Sequence, residues 1–147
     1  MNNDHLNDRP LIVAVDFDGT IVENMFPEIG PEVPGAFKWL NIFKEAGAKL
    51  LLWTVRSDTN SYMRHDNVCG KVLSAAVSYC GVKGIGFDGV NEYYPQKAWS
   101  DSEKVFAHVY IDDAAFGCPL INGVYRPVVD WSKVGPEVYK RIIGELN

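Results

Sequence analysis

Asp16-Phe17-Asp18-Gly19-Thr20 places two carboxylates one residue apart at the end of an apolar run. Such a pair could share a hard divalent cation, for which oxygen ligands are suited. A carboxylate can also attack phosphorus and form an aspartyl phosphate. An anionic nucleophile is repelled by an anionic phosphate, by roughly 1 kcal/mol at ~4 Å in water and about 4 at an effective dielectric of ~20. Bound magnesium offsets that repulsion by bridging both groups. Gly19 lets the chain turn sharply, and Thr20 offers a hydroxyl to a bound phosphate. Taken alone, the pentapeptide also reads as an acidic turn after a strand.

Other positions supply what that chemistry needs. Asp112-Asp113 follows the apolar run 109–111, and adjacent acids at a strand end repel unless a positive group lies beside them. Thr54 closes Leu51-Leu52-Trp53-Thr54, where its hydroxyl and the next backbone N–H could hold phosphate oxygens. Lys104, eight residues before Asp112, could reach the same cleft, with Lys97 as a rival. Arg56 reads equally as a substrate contact and as a surface arginine at a helix start. Asn91, Tyr93 and Tyr94 could line the mouth of the cleft, the tyrosines reading better as a packed aromatic loop. His5, His65 and His108 show no metal-ligand spacing; His65 and Cys69 are four apart, but two ligands do not make a zinc site.

These residues must be positioned by strands. Residues 11–17 and 49–54 read as strands buried on both faces, and residues 109–111 as a third. Residues 36–46 place Phe37, Leu40 and Phe43 on one helical stripe ended by Gly47, and residues 72–80 read as a second helix closed by Gly81. A short strand over 86–90, an edge strand over 127–130 and a helix over 135–145 complete the pattern. Alternating strands and helices predict an α/β fold, a parallel sheet with helices on both faces. Ligands bind such sheets beyond the carboxyl ends of the strands. Asp16 with Asp18, Thr54, and Asp112 with Asp113 stand at three such ends, which predicts one shared site.

Bulk properties set the class. The chain has 147 residues, 47% hydrophobic and 22% charged, with a net charge of −5; this predicts one globular domain over 11–147 after a flexible tail over 1–10. The acidic balance does not favour nonspecific nucleic-acid or membrane binding. No apolar run is long enough to span a bilayer, and residues 1–10 are too polar for a secretory signal. Cys69, Cys80 and Cys118 form no C-x-x-C pair and none heads a C-x5-R sequence, so buried thiols in a cytoplasmic protein are expected. The sequence specifies no subunit interface and leaves homo-oligomerisation open.

The ordered set Asp16-x-Asp18-Gly-Thr, Thr54, Lys104 and Asp112-Asp113 resembles the four motifs of the haloacid dehalogenase superfamily, over residues 11–113. The resemblance implies a three-layer Rossmann-like core and a magnesium-dependent phosphatase acting through an aspartyl phosphate. It further implies that Asp16 is the nucleophile and Asp18 the general acid and base. Thr20, Thr54 and Arg56 would contact substrate, Lys104 would orient Asp16 and neutralise charge, and Asp16, Asp18, Asp112 and Asp113 would hold Mg2+. Residues 21–34 and 84–104 are too short for an inserted cap domain, so the chain resembles the capless branch. The substrate would be a phosphorylated small molecule or a macromolecular phosphate end. Alternatives are phosphotransfer to another acceptor, a phospho-receiver-like module, and a catalytically inactive binding module. The receiver places its acidic pair first and its lysine last, an order this chain does not follow.

Overall fold

The computed structural model describes residues 10–59 and 70–144. Residues 1–9 of the expected tail over 1–10, and the positions His65 and Cys69, lie outside the described residues. Strands β1 (Ile12–Val15) and β2 (Lys49–Leu52) are short apolar segments buried almost throughout. With β5 (Gly89–Val90) and β6 (Val109–Ile111) they form a four-stranded parallel sheet in the order β5, β2, β1, β6. The first crossover uses helix α1 (Ala36–Glu45), the next includes α2 (Val72–Val82), and α3 (Trp131–Ile142) closes the chain. The fold is mixed α/β around a central parallel sheet, compatible with a Rossmann-like arrangement.

Register decides where the polar strand ends fall. Val15 lies opposite Leu52 on one side and Ile111 on the other. Asp16 and Asp112 are therefore the next residues at the same level, on adjacent strands. Thr54 follows two residues after Leu52 on the opposite neighbour.

Two apolar clusters sandwich the sheet. Val13, Val15, Leu50, Leu52 and Ile111 belong to the larger, with Phe37, Leu40 and Phe43 of α1, Ala76 and Cys80 of α2, and Trp131, Val134 and Val138 of α3. Ile12, Ala14 and Leu51, on the other face, pack with Val105 and Ala107. Among the described residues, no α-helix supplies that second cluster. Its cover is the connection between β5 and β6, whose regular structure is a 3-10 helix, Tyr94–Ala98. Pro95 and the polar run 100–104 leave that connection without an amphipathic helical stripe. This differs from the expected helices on both faces.

Further differences concern boundaries. α2 continues through Gly81, and the left-handed glycine after it is Gly84, φ +89°. α3 starts four residues before Gly135 because Asp130 caps it, its carboxylate accepting from the Ser132 N–H (3.1 Å) and hydroxyl (2.6 Å). Gly135 is inside that helix because a Cβ there would lie 2.2 Å from Cδ2 of Trp39. The expected edge strand is β8 (Pro127–Val129), paired antiparallel with β7 (Leu120–Asn122) in a separate hairpin. A second two-residue ladder joins β3 (Asp58–Thr59) to β4 (Gly70–Lys71). There Asp58 accepts from the Leu73 and Ser74 N–H groups and the Ser74 hydroxyl. Those bonds cap the start of α2, and they hold the Asp58 carboxyl below its usual range. Cys80 is buried and Cys118 half-buried, both as free thiols; burial pushes Cys80 to about 12. Among the described residues, no helix is long and apolar enough to cross a membrane.

Candidate functional site

Asp16 is the first residue after β1, and its N–H donates to the Ile111 carbonyl at 2.9 Å, extending the ladder one step. This holds the Asp16 and Asp112 strand ends side by side. Carboxylate oxygens of Asp16, Asp112 and Asp113 all lie within 4.8 Å of one another. Gly19 makes the approach of Asp113 possible. It has φ +85°, and a Cβ there would sit 2.3 Å from Oδ2 of Asp113. Asp112 is turned by its own carboxylate, which accepts from the Ala114 N–H at 2.8 Å.

Thr20 organises the cluster. Its hydroxyl lies 3.2 Å from Oδ2 of Asp16 and 3.4 Å from Oδ1 of Asp113, and it accepts from the Asp113 N–H at 3.2 Å. Trp131 fixes Thr20 from beneath through a 2.8 Å bond from Nε1 to the Thr20 carbonyl. Both residues are buried. Thr20 therefore orients two acids and is not placed as a substrate contact, which corrects the expectation from sequence. Trp131 carried no signal in the sequence beyond its size and hydrophobicity, because its partner is 111 residues away.

Among the described residues, no lysine or arginine pairs with any of the three acids. Asp16 is pushed up to about 8, first by burial and next by the charge of Asp112 and its hydrogen bond with Asp113. Asp113 is raised as well, chiefly by burial. An all-oxygen donor set of acids held at that separation suits a hard cation such as magnesium. Metal charge would reverse the repulsion that now favours protonation.

Asp18 and Arg56 form the second part of the site. Nε and Nη2 of Arg56 donate to the two oxygens of Asp18, each at 2.8 Å. The same guanidinium donates to the carbonyls of Pro27 (3.1 Å), Glu28 (2.8 Å) and Val72 (3.2 Å). It lies between the rings of Phe17 and Phe26, 5.0 and 5.2 Å from their centres. Arg56 is 1% exposed. Neither a surface arginine nor a substrate contact describes it, since no N–H remains for a ligand oxygen.

Thr54 donates its N–H to Oδ1 of Asn91 at 2.8 Å, and its hydroxyl accepts from the Arg56 N–H at 3.1 Å. Asn91 is held at φ +55°. The next residue, Val55, is 94% exposed, and its N–H makes no hydrogen bond among the described residues. The hydroxyl proton of Thr54 and the Val55 N–H are thus available together. Of the expected mouth residues, Tyr93 packs on the second core while Tyr94 is exposed beneath Lys97.

The lysines lie elsewhere. Lys104 is exposed, with Nζ 5.7 Å from the ring centre of Tyr110 and no ion pair among the described residues. Lys97 pairs with Glu92 at 3.6 Å. The structure does not bring either to the acid cluster, a departure from the expected place of Lys104. Its backbone is held on the second sheet face, where Gln96 donates to the Lys104 carbonyl.

No family model and no curated protein matches the chain. Among solved structures it is similar to a conserved protein coded by a locus of Bacteroides thetaiotaomicron. The two share 30% identity over 95% of this chain and 94% of that one, with a TM-score of 0.67. The chain belongs to the same family as that protein, whose description carries no activity.

Proposed function

We propose that this member of that family is a magnesium-dependent phosphomonoester hydrolase of the haloacid dehalogenase type, built on a Rossmann-like parallel sheet without a cap domain. The observation that carries the reading is the meeting of Asp16, Asp112 and Asp113 within 4.8 Å at adjacent strand ends. Asp16, Asp112 and Asp113 would hold the magnesium, with the backbone of Asp18 as a further oxygen. When bound, the cation offsets the charge between carboxylate and phosphate.

Asp16 attacks phosphorus through a carboxylate oxygen, and the bond from phosphorus to the leaving oxygen breaks. That oxygen takes its proton from Asp18. Water then attacks the phosphoryl group on Asp16 and gives a proton to Asp18, and the acyl phosphate bond breaks to release inorganic phosphate and free Asp16. Thr54 and the Val55 N–H bind phosphoryl oxygens. Thr20 keeps Asp16 and Asp113 oriented. Lys104, exposed and without an ion pair among the described residues, is a charge that a bound phosphate could draw in.

A second reading is a metal- and phosphate-binding module without turnover, favoured by the place of Lys104 over Tyr110. One experiment separates them. The protein is incubated with magnesium and a panel of nucleotides, sugar phosphates, aryl phosphates and phosphorylated oligonucleotide ends. Catalytic release of inorganic phosphate, lost in Asp16→Asn, supports the hydrolase. A lasting phosphoryl group on Asp16 at one per chain supports the module, and transfer to an alcohol instead of water would make the protein a phosphotransferase.

A further inference from the structure

We infer that Arg56 is the positioning residue of Asp18, and that it ties the orientation of that carboxylate to the segment 26–28. The inference rests on the reading of Asp18 as general acid and base. Nε, Nη1 and Nη2 of Arg56 together make five hydrogen bonds, the full donor capacity of a guanidinium. Two reach Asp18 as a parallel fork, the geometry that fixes both position and rotation of a carboxylate. The other three reach carbonyls on two separate segments, residues 27–28 and residue 72. Arg56 is therefore anchored to two other segments besides its grip on Asp18.

The grip leaves Asp18 able to act. A carboxylate offers about four acceptor sites, and the fork takes one on each oxygen, so a lone pair on each remains to carry the proton that Asp18 gives the leaving oxygen and takes back from the attacking water. The Asp18 side chain is 11% exposed, against 0% for that of Arg56. The carboxylate thus meets solvent while its partner does not. Burying the guanidinium unpaired would be costly, so the two side chains are held to each other and to the segment 26–28. Lysine cannot replace this arrangement, because a single ammonium lacks the planar fork.

The test uses Arg56→Lys, Asp18→Asn and the double variant with magnesium and a series of substituted phenyl phosphates of graded leaving-group acidity. A general acid matters most for poor leaving groups, where its loss costs about 100-fold or more. Arg56→Lys should steepen the dependence of kcat on leaving-group acidity toward that of Asp18→Asn, and the double variant should lose little beyond Asp18→Asn. A uniform loss across the series, or full additivity of the two changes, would overturn the inference. Hydrogen exchange on Asp18→Ala gives a readout that needs neither turnover nor a folded Arg56 variant. Faster exchange at Phe26 and Glu28 in Asp18→Ala, absent in Asp16→Asn, supports the coupling, and unchanged exchange there refutes it. If the wild-type protein releases no phosphate, the hydrolase reading fails, and the exchange comparison still decides whether Arg56 couples Asp18 to the segment.

Discussion

Replacing Gly19 by alanine meets two obstacles that a second glycine separates. At φ +85° an L side chain costs about 1–2 kcal/mol. Roughly 0.4–1 kcal/mol of that is returned, because alanine restricts the unfolded chain. The new Cβ would also lie 2.3 Å from Oδ2 and 2.6 Å from Cγ of Asp113, so the carboxyl must move. Moving it disturbs the hydrogen bond from the Thr20 hydroxyl to Oδ1 of Asp113, worth about 1 kcal/mol. The total is about 1–2.5 kcal/mol, a fall of roughly 2–10 °C in melting temperature. Gly47 has φ +96° with nothing within 4 Å of an added Cβ. Gly47→Ala carries the strain alone, a net cost of about 1.5 kcal/mol at most. The decisive measurement is thermal unfolding of both variants with chelator and with saturating magnesium. Gly47→Ala should keep the full stabilisation that magnesium gives wild type, whereas Gly19→Ala should lose most of it because Asp113 is displaced. Equal costs in the two variants, with magnesium stabilisation intact in both, would refute the close approach of Asp113 and its part in the metal site.

Three further outcomes are expected. Asp16→Asn should remove phosphate release at least ~1000-fold while melting at or above the wild-type temperature without metal, since it relieves repulsion among three acids; steady-state release and a melting curve check both. Asp16 titrates at about 8 in the fold against 3.8 ordinarily, so between those values the folded state holds a proton that the unfolded state has released. Metal-free stability should therefore fall as pH rises from about 4 to 8, and magnesium should cancel the fall, as urea unfolding at pH 5 and pH 8 would measure. His108, whose Nδ1 accepts from the Ile12 N–H at 2.9 Å, is lowered by burial. Its contribution is present above pH 6.5 and lost on acidification below it, and His108→Gln should remove that part of the slope.

The positions of the acids were legible in the sequence because strand ends are local events. A run of apolar residues stops where Asp16, Thr54 and Asp112 begin, and a parallel sheet gathers such ends on one edge. The stripe of Phe37, Leu40 and Phe43 was legible for the same reason, being set by a helical period within α1. Long-range contacts decided the rest. Arg56 read equally as a substrate contact and as a surface arginine, since its partners are a carboxylate 38 residues earlier and carbonyls 28, 29 and 16 residues away. Thr20 looked like a ligand contact until Asp113 and Trp131 closed around it. Gly135-Pro136 looked like the start of α3, because local propensity cannot know that Trp39 occupies the space a side chain would need. Sequence periodicity reports which face of an element is apolar. Which buried polar group meets which is set by register and packing between distant segments, and only the tertiary structure contains that.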